Sequence, residues 1–153
     1  MSDHHPLVVR SIADIRDLVA GWRAQGLRVA LVPTMGALHA GHVSLVETAK
    51  RLADRVVVSI FVNPTQFAPT EDFSKYPRTF EADVEKLAAV RAEAVYAPPV
   101  EAMYPPGAAT TVSVAGPAKA GLEDVTRPFH FAGVATIVAK LFTQVGPDVA
   151  IFG

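Results

Sequence analysis

The rhythm of the chain constrains its fold most. Short β-branched apolar runs alternate with stretches whose apolar residues recur at helical spacing. Residues 55–62, R-V-V-V-S-I-F-V, form an almost unbroken apolar run of strand length. Such a run suits a strand covered on both faces better than one with a wet face. Runs at 7–10, 28–32, 94–97, 110–114 and 149–152 predict further strands, with Pro33 stopping the second of them. Between them, Ile12, Ile15, Val19 and Trp22 share one helical face. Ser11 caps that helix, Asp14 sits in its first turn and Gly26 ends it. Residues 41–53, 79–91 and 130–145 predict three more helices, the first with Leu45, Val46, Ala49 and Leu52 on one face, the second with Val84, Leu87 and Ala88 inward, the third with Val134, Val138, Leu141 and Val145 on one face. Residues 63–78 read as a long polar loop, 98–107 as turns with room for one helical turn, and 116–128 as an irregular connection.

Strands alternating with helices imply βαβ units, hence an α/β fold with a parallel sheet and helices on both faces. Right-handed crossovers then gather the strand C-terminal ends at one edge, where ligands of such sheets bind. A chain of 153 residues has room for one such domain. Half of its residues are hydrophobic and 19% charged, which excludes intrinsic disorder. The formal net charge of −1 gives no field for nucleic acid or an anionic membrane, so neither is expected as a partner. Without cysteine there is no disulfide framework and no thiolate metal site, and the cytoplasm is the default location. Residues 1–6 are polar with no apolar segment behind them, and no apolar run approaches the roughly 20 residues of a membrane helix. The chain stops at Gly153, at the end of a predicted strand where another active-site loop should begin, so a truncated chain is expected.

The most informative motif joins the second strand to the second helix: P-T-M-G-A-L-H-A-G-H, residues 33–42. A helix N-terminus offers unpaired N–H groups and a positive dipole end, and Gly36 and Gly41 let backbone approach a ligand. His39 and His42 are three apart and can share one side of the first turn, donating to phosphate oxygens or protonating a leaving group. Taken alone, the same pattern also describes a tight turn with two surface histidines. A zinc site would need a third ligand, which the neighbouring sequence lacks. No G-x-G-x-x-G follows a strand, which argues against a dinucleotide-dependent oxidoreductase.

Four ordered segments resemble the pantothenate synthetases (pantoate–β-alanine ligases), nucleotidylyl transferases related to class I aminoacyl-tRNA synthetases. They are the His-x-Gly-His segment, V-V-V-S-I-F-V-N-P-T-Q-F at 56–67, D-F-S-K-Y-P-R at 72–78, and residues 127–153 with R-P-F-H-F, G-V-A-T, K-L-F, P-D and F-G. The resemblance implies a Rossmann-like domain over residues 1–153, with the family's C-terminal domain absent. It implies ATP-driven condensation of pantoate with β-alanine through pantoyl adenylate, with Mg²⁺, in a homodimer.

By that resemblance Met35, Gly36, Ala37, Leu38, His39, Ala40, Gly41 and His42 bind ATP, and His42 is catalytic. Gly153 begins a second ATP loop. Gln66 and Asn63 bind pantoate or β-alanine, while Met35 and Phe61 form the apolar wall, although core packing would explain Phe61 equally well. Arg127 and His130 are possible loop contacts, next to Phe129 where the family most often has Gly. Tyr76 and Arg78 suit a lid or surface packing. Asp83 or Glu81 could touch Mg²⁺, but charges on that helix read better as a solvated face. Two alternatives share the fold: a non-catalytic dimerising fragment, and another nucleotidylyl transferase.

Overall fold

The computed structural model describes residues 4–67, 73–113 and 130–153, with Gln66, His130 and Phe131 as backbone alone. Strand β1 (Leu7–Val9) leads into helix α1 (Ile12–Ala24), whose N-cap Ser11 hydroxyl accepts from the Asp14 N–H at 3.1 Å. Gly26 then turns the chain at φ +76°, a left-handed conformation that favours glycine. There follow β2 (Val29–Thr34), α2 (Ala40–Leu52), β3 (Arg55–Ile60), α3 (Phe80–Ala89), β4 (Ala94–Tyr96), the single turn α4 (Val100–Met103), α5 (His130–Val145) and β5 (Val149–Ala150).

All strand pairs are parallel, in the order β1-β4-β3-β2-β5. Going outward from β2, β3, β4 and then β1 lie on one side and β5 on the other. That reversal is the switch point at which open α/β sheets bind ligands. The apolar runs are continuous because β2 and β3 are covered twice. Val29, Leu31 and Val57 pack with Ile15 and Val19 of α1 and Ile137 and Leu141 of α5. The alternate residues Ala30, Val32, Val56 and Val58 pack with Val46 and Ala49 of α2 and Leu87 of α3. Beneath α5 the buried Tyr96 hydroxyl donates to Gln144 Oε1 at 2.8 Å, and burial pushes its phenol up to about 12.

Two expectations fail for physical reasons. Pro33 does not stop β2, which runs on to Thr34. Alternate residues of β2 address opposite neighbours. The Thr34 carbonyl accepts from Phe61 on the β3 side, whereas Val29 and Leu31 accept from Asp148 and Ile151 on the β5 side. Pro33 shares the parity of Val29 and Leu31, so its missing N–H faces β5, just past the last paired residues, Leu31 and Ala150. The β3 ladder is untouched, and the β5 ladder ends there. The second failure is at 110–114: residues 110–113 form no strand, and Val114 lies outside the described residues. The β-branched run misled, because the Val112 N–H goes to the Thr136 hydroxyl at 2.9 Å instead of to a strand.

Candidate active site

The site begins where β2 ends. The Thr34 hydroxyl donates to the Ser59 carbonyl at 2.8 Å and accepts from the Gly36 N–H at 3.2 Å. Gly36 has φ +84°, and Ala37 takes the left-handed conformation at φ +52° despite its side chain. The N–H groups of Ala37 and Leu38 both donate to the Asp83 carboxylate at 2.9 Å, and Lys86 Nζ donates to the Leu38 carbonyl at 2.7 Å.

Helix α2 is then capped by two imidazoles. His39 Nδ1 accepts from the Gly41 N–H at 3.0 Å, and His42 Nδ1 accepts from the His39 N–H at 3.2 Å. This is the reciprocal logic of a capping box, with rings replacing hydroxyl and carboxylate. A backbone N–H can only donate, so each Nδ1 carries its lone pair and each neutral ring carries its hydrogen on Nε2. Two Nε2–H donors are thereby presented by rings whose centroids are 4.1 Å apart. Partial burial, and then the neighbouring His39, hold His42 below the ordinary 6.5, against the opposing pull of Asp83. Gly41 is required locally, since a Cβ there would lie 2.8 Å from His39 Cε1. The N–H groups that the sequence reading left open are thus mostly engaged: Gly36, Ala37, Leu38, His39 and Gly41 all have intramolecular acceptors.

His42 borders a cavity of about 260 Å³ beside the β2 end. Met35 and Phe61 wall one side, and Val134, Val138 and Leu141 of α5 contribute another; Tyr76 also reaches it. Sequence reasoning had placed these three α5 residues on one apolar helical face, with no ligand role. Met35 and Phe61 also border a second cavity of about 460 Å³, which reaches Arg10, Arg78 and Phe80.

The other candidates fall as follows. Asn63 is wholly buried. Its amide donates to the Gly133 carbonyl at 3.0 Å, and its oxygen accepts from the Thr65 N–H at 3.1 Å and the Tyr104 hydroxyl at 2.8 Å. It therefore anchors the loop after β3 to α5. Gln66 ends the short 3-10 turn Pro64–Gln66 that Asn63 caps. Gly153 meets α2 closely, for a Cβ there would lie 3.0 Å from Leu45 Cδ1. His130 is the first residue of α5, whereas Arg127 and Phe129 lie outside the described residues. Arg78 binds the carbonyls of Phe73, Ser74 and Tyr76 and stacks 4.8 Å from the Phe73 ring centroid, so it shapes its own loop.

Asp83 requires a correction. Its side chain is not on a solvated face but buried, 1% exposed, while Glu81 is exposed. Both of its oxygens are occupied by the loop, and Thr79 Oγ1 adds a third donor at 3.2 Å. Among the described residues no group of three or more His, Asp or Glu could hold a metal ion. With its carboxylate so occupied, Asp83 does not fit a resident Mg²⁺. Also among the described residues, no helix is long and apolar enough to cross a membrane.

Comparison with known proteins settles the family. The sequence model of the pantoate-beta-alanine ligases matches residues 7–153. The chain belongs to the pantoate-beta-alanine ligase family. It is 62% identical over 148 residues to the pantothenate synthetase of Bradyrhizobium sp. strain BTAi1, a match covering 97% of this chain and 52% of that one. The corresponding enzyme of Rhodospirillum rubrum is 59% identical over 146 residues, covering 95% and 51%. The chain thus spans about half the length of the curated relatives it matches.

Among solved structures, the pantothenate synthetase of Thermus thermophilus superposes with a TM-score of 0.84 at 46% identity, covering 94% of this chain and 50% of that one. The pantoate-beta-alanine ligase of Francisella tularensis, complexed with beta-gamma ATP and beta-alanine, gives 0.88 at 34% identity, covering 95% and 55%. The parallel α/β fold of nucleotidylyl-transferase type expected from the resemblance is the fold of these ligase-family neighbours.

Proposed function

We propose that the chain is the ATP- and pantoate-binding half of a ligase that joins pantoate to β-alanine. The observation that carries the reading is the juxtaposition at the β2 end: two Nε2–H donors at the start of α2, one of them on His42, which borders a small apolar cavity. The donors suit phosphate oxygens. The cavity suits a compact branched acid, with Met35 and Phe61 against its gem-dimethyl group. The Gln66 amide, able to donate and accept, is assigned to the pantoate hydroxyl and carboxylate, with Asn63 supporting the turn that carries it. Gly153, packed on Leu45, contributes backbone to the nucleotide side.

In the first step a pantoate carboxylate oxygen attacks the α-phosphorus of ATP. The bond from that phosphorus to the bridging oxygen breaks, and pyrophosphate leaves with the electron pair. The β-alanine amine then attacks the acyl carbon, and AMP departs as the amide forms. Positioning and charge neutralisation carry such chemistry, so no covalent nucleophile is required. His42, neutral near pH 7, donates its Nε2–H to the oxygens on which charge accumulates. ATP enters as its magnesium complex, a substrate and not a resident metal. The reading brings with it a homodimer, an expectation of the resemblance, and a cytoplasmic location, the default for a chain without cysteine.

The test is AMP release from MgATP by this chain and by any longer gene product, omitting pantoate and β-alanine in turn. Release that needs both supports the ligase. Release from ATP with other acids but not pantoate would move the reading to another nucleotidylyl transferase. Binding of ATP and pantoate by calorimetry, without turnover by this chain alone, would favour the non-catalytic fragment. Half coverage of the relatives makes that reading worth testing.

A further inference from the structure

We propose that Asp83, together with Lys86, is a positioning residue for the histidine pair, holding the loop at 36–38 from helix α3. The proposal rests on the nucleotide-binding reading of that loop and adds a specific claim. The Ala37 and Leu38 amides belong to Asp83 and not to a phosphate, so phosphate contact there falls to the imidazole Nε2–H groups.

The geometry is complementary in polarity. Asp83 and Lys86 are three apart on α3 and share a face. The carboxylate takes the two N–H groups at 2.9 Å each, and the ammonium takes the Leu38 carbonyl at 2.7 Å. A carboxylate 1% exposed and aimed at two backbone donors is a built contact, because burying it unpaired would be strongly unfavourable. The grip fixes Ala37 in a conformation that residues with a side chain avoid, at φ +52°. It also crowds Gly36, where a Cβ would lie 3.2 Å from Asp83 Oδ2. The peptide after Leu38 carries the His39 N–H, the donor to His42 Nδ1, so the grip on Leu38 leads directly into the imidazole cap.

Hydrogen exchange and imidazole ¹⁵N spectra of the chain test this, with MgATP as the probe. In the wild type, the Ala37 and Leu38 amides should exchange slowly, and MgATP should move the imidazole signals more than these amides. Asp83→Asn should speed exchange at both amides by about 10-fold or more and shift the ¹⁵N signals of His39 and His42. Lys86→Met, a milder change, should speed exchange at Leu38 and His39 and decides the matter if Asp83→Asn does not fold. Leu87→Ala is the control for general damage to α3, since Leu87 is 0% exposed and core. It should lower the melting temperature and leave the imidazole signals in place.

Unchanged exchange at 37–39 in the variants that fold would overturn the proposal. So would imidazole shifts in Leu87→Ala equal to those in Asp83→Asn, or MgATP protecting the two amides in Asp83→Asn. If MgATP moves nothing in the wild type while Asp83→Asn still frees the loop and shifts the imidazoles, the positioning role stands and the nucleotide reading falls.

Discussion

Each imidazole at the start of α2 works at both nitrogens: Nδ1 closes the helix cap, which leaves the hydrogen on Nε2 as a donor. Substitutions can separate these duties. An Asn side chain places an acceptor near the Nδ1 position, as in ordinary caps, but offers nothing where Nε2 stood. His42→Asn should therefore keep the stability of the wild type to within about 1 kcal/mol in thermal unfolding while adenylate formation collapses. His42→Ala should lose both, and turnover of a full-length version should drop by about 10²-fold or more in the AMP-release assay. Near-normal turnover in either would remove His42 from the chemistry. The pair itself was legible in the sequence, because its spacing and glycines are local. Asp83 was not. It lies 46 residues from Ala37, and a carboxylate in the first turn of a helix looks like any dipole-complementing surface charge. The α5 wall residues were seen as an apolar stripe, but a stripe does not say whether it faces core or ligand.

At the scale of elements, the start of α2 and the end of β3 make opposite predictions. Gly41→Ala puts a methyl 2.8 Å from the His39 ring, so the ring must leave its cap. The expected loss is about 1 kcal/mol or more, read by urea denaturation, with weaker ATP binding alongside. Ser59 is wholly buried in β3, and its hydroxyl has no hydrogen-bond partner among the described residues. Ser59→Ala should therefore be neutral or stabilising by up to about 1 kcal/mol, and a loss above about 2 would reveal a partner. Helices α1, α2, α3 and α5 were legible to within a residue or two, because each carries its own apolar period. Strand ends were less so. Where β2 ends depends on which neighbour a residue addresses, and no local pattern records that.

For the whole molecule, acid should act in two separate windows. His42 has its pKa lowered below 6.5, so the unfolded chain binds a proton more readily there than the folded one does. Stability should then decline as the pH falls from above 6.5 through that depressed value, and His42→Asn should flatten this step. Asp148 has its pKa lowered below 3.8, chiefly by the Val29 N–H at 2.8 Å and then by Arg23. Its contribution is present above 3.8 and lost as the pH falls through the depressed value; Asp148→Asn should remove that later step. Urea midpoints across pH measure both. Asp148 also marks a long reach in the sheet, for it meets Val29 across 119 residues. So wide a loop makes the β2–β5 pairing a late event in folding, after β2 and β3 have joined. A late strand needs something to tell it where to stop sliding. Pro33 supplies that mark: of the β2 residues that address β5, Leu31 has an N–H and Pro33 has none, so a chain arriving there meets a fixed end. The same residue that lines the His42 cavity in the finished protein thus serves, earlier, as the ruler against which the last strand is aligned.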